Sequence, residues 1–437
     1  MQRRTCTLLV LLLWILASSA VAQTAAQPSS EDDRIKALED RIIALEGQVR
    51  LLKEQQATQP ASNQAASPAT GAASASAAPP QSAAAPVGGS ELSGQLPVYG
   101  GASAAAKALN PDVSVIGDFL GTMGHNSVAP VPALEMHEAE LGLQAIIDPY
   151  ARGDFFISFG EQGVNLEEGY ITYTALPAGF VLRGGKMRAA FGKVNSLHNH
   201  VLPWTDRPLV TGNLVGGEDG INDAGLSLTR ILPAPKGIFL EGTGQVFRGD
   251  SADVFTSRQH SDVSAVAHLR GYRDITESTN LDLGISYARG HNDAGGVAVP
   301  PALVPADFIT QLYGVDATVR WKPLRRAIYH SFVGRSEFIW SQRQQLPSVQ
   351  RAFGFYTSGD FQLGRRWFVG ARYDRSDRAR DDALTDRGGA LVLTYWPSEF
   401  SQIRSEYRYV KYAEGLTGNE LRFQLQFSLG AHGAHPF

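Results

Sequence analysis

The sequence predicts an all-β chain: a transmembrane antiparallel β-barrel of about sixteen strands, preceded by a short N-terminal coiled-coil helix and a disordered linker. Three observations predict it. The chain opens on an export signal. From about Asp112 to the end, stretches of apolar and polar residues alternate with a period of two. The connections between those stretches alternate between short turns and longer loops.

Residues 1–22 read as a signal peptide. Arg3 and Arg4 give the positive start, Leu8 to Leu16 the apolar core, and Ala20-Val21-Ala22 an A-x-A cleavage site. The apolar run is too short to span a bilayer as a helix. Cys6 is the single cysteine and leaves with the signal, so the mature chain is expected to hold no disulfide. Removing Arg3 and Arg4 from 39 basic residues leaves 37 against 43 acidic ones, a net charge of −6. That mild acidity argues against nucleic acid as a partner. No later stretch is long and apolar enough for a spanning helix, and an apolar content of 43% suits a barrel whose strands each turn one face to water.

Residues 31–56 carry Ile35, Leu38, Ile42, Leu45, Val49 and Leu52 at a 3-4-3-4-3 spacing. This is a heptad seam with β-branched residues at a and Leu at d. It predicts a periplasmic coiled coil that joins copies of the chain, with a single amphipathic helix lying on another surface as the alternative. Residues 57–111 are rich in Ala, Pro, Ser, Gly and Gln and nearly free of large apolar residues. They read as a flexible linker.

Residues 112–437 read as the barrel. Leu141 and Leu143 oppose Glu140 and Gln144. Leu281, Leu283, Ile285 and Tyr287 oppose Asp282, Gly284 and Ser286. Tyr313, Val315, Val319 and Trp321 oppose Asp316, Thr318 and Arg320. Leu421, Phe423, Leu425, Phe427 and Leu429 oppose Arg422, Gln424, Gln426 and Ser428. A wall that is greasy outside and polar inside suits a barrel in lipid better than a soluble sandwich or propeller. Trp321, Trp340, Trp367 and Trp396 close apolar faces and are candidates for two aromatic girdles. The longer links are read at Gly124–Leu134, Ala189–Asn222, Arg248–Ser261, Gly290–Phe308, Gln342–Val349 and Ser376–Arg387. With the short turns at the other end, both termini of the barrel fall in the periplasm.

The run Glu167–Asn195, EEGYITYTALPAGFVLRGGKMRAAFGKVN, carries a glycine-rich strand, Arg183-Gly184-Gly185-Lys186, that leads into a Phe-Gly turn. This motif, with the order of signal, heptad helix, linker and barrel, resembles outer-membrane porins of the phosphate-selective porin superfamily. The resemblance implies a passive channel and a homotrimer. It does not transfer the substrate. Members of that superfamily are expected to line the pore with basic residues, and the inward charges here are mixed. Arg270, Arg320, Arg335, Arg372, Arg404, Arg408 and Arg422 stand against Glu138, Glu140, Glu241, Asp282, Asp316, Glu337, Glu406 and Glu420.

The resemblance also implies that Ala189–Asn222, the third external loop, folds into the barrel and narrows it. Asp206, Arg207, Glu218 and Asp219 are then candidates for the constriction. The alternative is that Asp206 and Arg207 cap turns beside Pro203 and Pro208. His198 and His200, and in the tail His432 and His435, are candidate metal ligands, with exposed polar residues as the alternative. No G-x-S-x-G, H-E-x-x-H or P-loop pattern occurs, so no catalytic residue or cofactor is expected. The expected function is diffusion of small hydrophilic solutes or ions across the outer membrane of a Gram-negative-type bacterium, with membrane lipid around the barrel. The alternatives are a barrel-anchored tether contacting peptidoglycan and a metal- or solute-specific receptor.

Overall fold

The computed structural model describes residues 111–430, apart from 162, 252 and 295–307. The signal, the heptad seam at 31–56, nearly all of the linker, His432 and His435 lie outside the described residues.

Sixteen strands form among the described residues: β1 (Asp112–His125), β2 (Leu134–Asp148), β3 (Ala151–Gly160), β4 (Gly163–Tyr173), β5 (Phe180–Arg188), β6 (Asn222–Ile231), β7 (Ile238–Phe247), β8 (Ser264–Thr276), β9 (Thr279–His291), β10 (Ile309–Trp321), β11 (Phe332–Arg343), β12 (Gln350–Gln362), β13 (Trp367–Arg378), β14 (Asp381–Ser398), β15 (Ser401–Lys411) and β16 (Thr417–Gly430). Each pairs antiparallel with its chain neighbours. β1 pairs with β16, with Phe119 opposite Leu425, so the barrel is closed and no strand is left without two neighbours.

The alternation read from the sequence is the wall. In β16, Leu425 is 45% exposed on the outer side while Gln424 and Gln426 are each 2% exposed on the inner side. Registered pairs carry the same sense across strands, as at Val315 opposite Ile285 and Phe338. Two levels of aromatic residues line the outside across β9 to β14. At one, Tyr313 lies opposite both Tyr287 and Trp340, and Trp340 opposite Phe353. At the other, Trp321 lies opposite Phe332, which lies opposite Phe361, and Trp367 packs on Tyr395 with ring centroids 4.5 Å apart. These are the levels expected of girdles at two bilayer interfaces. Trp396 departs from that reading. It continues the inward set Ala390, Val392 and Thr394 and is 9% exposed.

A second departure concerns Ser376–Arg387. The chain there is strand, not loop: β13 runs to Arg378 and β14 starts at Asp381. Arg378 pairs with Asp386 at 3.0 Å and Thr385 donates to Asp377 at 2.7 Å. This hairpin carries polar residues on both faces, so its apolar alternation is missing, although the ladder continues to Asp377 opposite Thr385 before the register shifts at Arg378.

Two glycines explain the quoted motif. Gly185 has φ +144, and a Cβ there would lie 2.6 Å from the Tyr170 Cα of the paired strand. Gly192 has φ +60, and a Cβ there would collide with the Glu337 carboxylate. The first fits only glycine against β4; the second fits only glycine where the chain turns into the lumen.

Candidate functional site

The site is the segment 189–221 between β5 and β6, folded inside the barrel. Its two ends are joined. Ala189 N–H donates to Ile221 C=O at 2.8 Å. The Asn195 amide donates to the Ala189 and Ile221 carbonyls, while its oxygen accepts the Ile221 N–H at 2.9 Å. Asn195 is therefore the clasp at the base of the loop.

An apolar seam holds the loop to the wall. Phe191, Val194, Leu202, Trp204, Val210, Leu214 and Val215 pack with Val266, Ala288, Leu312, Ile339, Ala352, Tyr356 and Val392, residues on the inner face of β8 to β14. That face is thus not wholly polar. The loop's backbone donors are met by wall side chains, because a buried N–H left unpaired is costly. Gln245 accepts from Ala190 at 2.7 Å, Ser286 from Gly192 at 2.8 Å, Glu406 from Thr205 at 2.7 Å and Asp374 from Leu209 at 3.2 Å. The acceptors lie on β7, β9, β15 and β13, so the loop is strapped around much of the circumference.

Asp206 is the loop's charged contact with the arginine side of the lumen. It lies 2.7 Å from Arg372, 2.8 Å from Arg408 and 3.9 Å from Arg422. Burial alone would raise its pKa, but these three guanidinium groups hold it below the ordinary aspartate value. Arg372 also pairs with Asp374 at 2.8 Å and lies over the Trp204 ring. Arg408 and Arg422 both pair with Glu420. Arg404 donates to the Trp204 carbonyl at 3.0 Å and to Gln424 at 2.7 Å.

Arg207, next in sequence, points the other way. It donates to the Val194 and Leu197 carbonyls and to Asn199, bracing the loop from within. Its burial lowers its pKa to about 10. The side chains of Glu218 and Asp219 are exposed, with the Glu218 carboxylate 3.4 Å from His137 on β2, and their carbonyls accept from Arg188 at 2.8 and 3.2 Å. The four constriction candidates therefore do not gather into one ring.

His198 and His200 are brought together, with ring centroids 5.6 Å apart. His198 Nδ1 lies 2.7 Å from Glu140 and 3.2 Å from Glu167, and its Nε2 lies 2.8 Å from Glu168. His200 Nδ1 lies 3.6 Å from Glu140. Burial alone would depress the His198 pKa; the three carboxylates outweigh it and raise the pKa well above 6.5.

One cluster has only a weak sequence signal. Lys193 reaches Asp282 at 3.0 Å, and Arg270 and Arg320 reach the same carboxylate at 2.8 and 3.7 Å. The dyad pattern places Asp282, Arg270 and Arg320 on the inner face, but nothing in it brings Lys193 to them across the lumen. Arg335 pairs with Asp360 on the neighbouring wall.

No family model matches the chain. A protein described as uncharacterized from Aquifex aeolicus is 28% identical over 390 residues, covering 76% of this chain and 81% of that one. Among solved structures, a loop-deletion form of the outer membrane protein OmpT of Vibrio cholerae matches with TM-score 0.51 at 10% identity, covering 73% of this chain and 99% of that one. The anion-selective porin from Comamonas acidovorans matches with TM-score 0.50 at 10% identity, over 73% of this chain and 99% of that chain. At such identities the likeness is one of fold: a closed sixteen-strand barrel like those of outer-membrane porins.

Proposed function

We propose that this chain is an outer-membrane porin, a passive channel for small hydrophilic solutes or ions. The observation that carries the reading is the pairing of two features. The barrel's outer face is an apolar belt between aromatic levels. Its lumen is crossed by a strapped loop that meets inward charges. A bilayer satisfies the first, and a size and charge filter is what the second can supply. In this reading Asp206 and the arginines Arg320, Arg372, Arg404, Arg408 and Arg422, with Glu406, shape the field a permeant crosses, and no reaction is catalysed. The finer likeness to the phosphate-selective porin superfamily and a trimer joined by the heptad seam belong to the same proposal.

Around Asp282 the water-facing charges favour anions. The side chains of Lys193 and Arg320 are 23% and 30% exposed, while that of Asp282, which balances both, is 1% exposed. The bases meet water and the acid lies beneath them. Swelling of liposomes loaded with the folded protein tests the function. Entry of small sugars at rates that fall with solute size supports it; swelling no faster than in protein-free liposomes refutes it.

One observation favours a second reading. Glu406, which accepts the Thr205 N–H, and Gln424, joined to Trp204 through Arg404, are 0% and 2% exposed, so the loop covers the wall closely on this side. A barrel that conducts nothing would act as the outer-membrane anchor of a tether, with the linker and heptad segment reaching towards peptidoglycan.

A further inference from the structure

We propose that Glu138, Glu140, Glu167, His198 and His200 bind one divalent transition-metal ion of the Zn2+ type, which clamps the lumen loop to the barrel wall. The proposal stands apart from conduction and holds whether or not the barrel conducts.

The donor set is the first argument. Two imidazoles and three carboxylates suit a borderline divalent ion, which takes nitrogen and oxygen together. One ligand atom each from Glu140, His198 and His200 lies within 4.8 Å of the others, and so does one each from Glu138, Glu140 and Glu167. The two triads share Glu140, and His198 Nδ1 lies 3.2 Å from Glu167, so the two sets adjoin.

The second argument is an uncompensated acid. Glu138 is 6% exposed, and no lysine, arginine, histidine or backbone donor among the described residues meets its carboxylate oxygens, which face only the Glu167 carboxyl. It lies against two other acids, Glu140 and Glu167, that are 3% and 5% exposed. An ionised carboxylate in such surroundings is strongly disfavoured, so Glu138 either keeps a proton shared with Glu167 or faces a cation. A divalent ion would serve as that cation.

The third argument is the orientation of the ligands. His198 turns Nδ1 towards Glu140 and Glu167 and is held from behind at Nε2 by Glu168, 2.8 Å away. A ligating histidine whose other ring nitrogen is fixed by a carboxylate is the arrangement common around protein-bound metals. Glu167 is itself held by Arg188 at 3.0 Å, and Glu168 accepts the Arg188 N–H at 2.7 Å. The carboxylates come from β2 and β4 and the histidines from the loop, so one ion would join the loop to two strands.

The test uses the full-length folded protein in detergent, freed of metal by a chelator, with His432→Ala and His435→Ala introduced to remove the tail histidines. Zn2+ alone is titrated by calorimetry and the bound metal is counted by mass spectrometry. Retention of the folded barrel is checked by heat-dependent gel mobility. The expected result is one Zn2+ per chain, with affinity falling roughly tenfold or more in His200→Ala and in Glu138→Gln. Where His200→Ala fails the folding check, Glu138→Gln decides, since it removes the carboxylate and keeps the shape. Absence of stoichiometric Zn2+, or unchanged affinity in the folded variants, overturns the proposal.

Discussion

Asp206 gives the sharpest prediction. Asp206→Asn removes one negative charge 2.7 Å from Arg372 and 2.8 Å from Arg408 and leaves the shape nearly intact. Two effects follow. Arg372 keeps Asp374 and Arg408 keeps Glu420, so neither guanidinium is left without a partner. The loss of loop docking should therefore fall at the lower end of the range for breaking a buried ion pair, about 3 kcal/mol. The apolar seam and the Asn195 clasp still hold the loop.

The second effect is on permeation. A permeant ion roughly 8 Å from the lost charge, in a water-like dielectric, changes its energy by about 0.5 kcal/mol. The change favours anions and disfavours cations, so the difference is about 1 kcal/mol, or about fivefold in the anion-to-cation permeability ratio. The assay is the reversal potential of the folded protein in a planar bilayer under a salt gradient. A ratio that rises several-fold supports the placement of Asp206 on the permeation path. An unchanged ratio in a variant with normal conductance removes it from the path, and a fall refutes the electrostatic reasoning.

Three further outcomes are expected. Ile285 is 61% exposed at the middle of β9, so Ile285→Arg places a charge at bilayer depth; it should cost about 2–4 kcal/mol, read as a lowered urea midpoint for refolding into lipid, where no change would contradict the orientation of the wall. Gly192→Val cannot keep φ +60 beside Glu337, so the loop should detach while the strands persist; faster proteolysis within 189–221 with unchanged far-ultraviolet dichroism is the sign, and wild-type resistance would refute it. His198 is held by Glu140, Glu167 and Glu168, with His200, Glu138 and Arg188 beside them, and its folded pKa is raised. Its contribution to docking is then fully present below pH 6.5 and is lost as pH rises through the raised value. With chelator present, loop protection against protease should hold at neutral pH and fall on alkalinisation, and His198→Ala should abolish that step.

What could be read from the sequence follows from what lipid demands. Bilayer contact forces every second residue of a spanning strand to be apolar, so Leu421 to Leu429 and Leu281 to Tyr287 announced themselves. Where the wall rises into water on both sides, as at Ser376–Arg387, that demand vanishes and strand looked like loop. The third loop stood out by length alone. Its docking did not, because Val266, Ala288, Leu312, Ile339 and Ala352 occupy inner positions otherwise held by polar residues, and their partners lie far off in the sequence. Asp206 and Arg207 are neighbours with opposite destinations, one to the arginine side of the wall and one into the loop. His198 and His200 were visible as a pair. Their carboxylate partners Glu140, Glu167 and Glu168 come from strands that only the closed barrel brings to them.

The central claim is a conducting, loop-filtered barrel, and single-channel recording of the refolded protein in a planar bilayer tests it most directly. The account predicts stable ohmic steps and a reversal potential in a salt gradient that reports a preference for anions. Absence of steps from protein shown to be a folded, inserted barrel would contradict it.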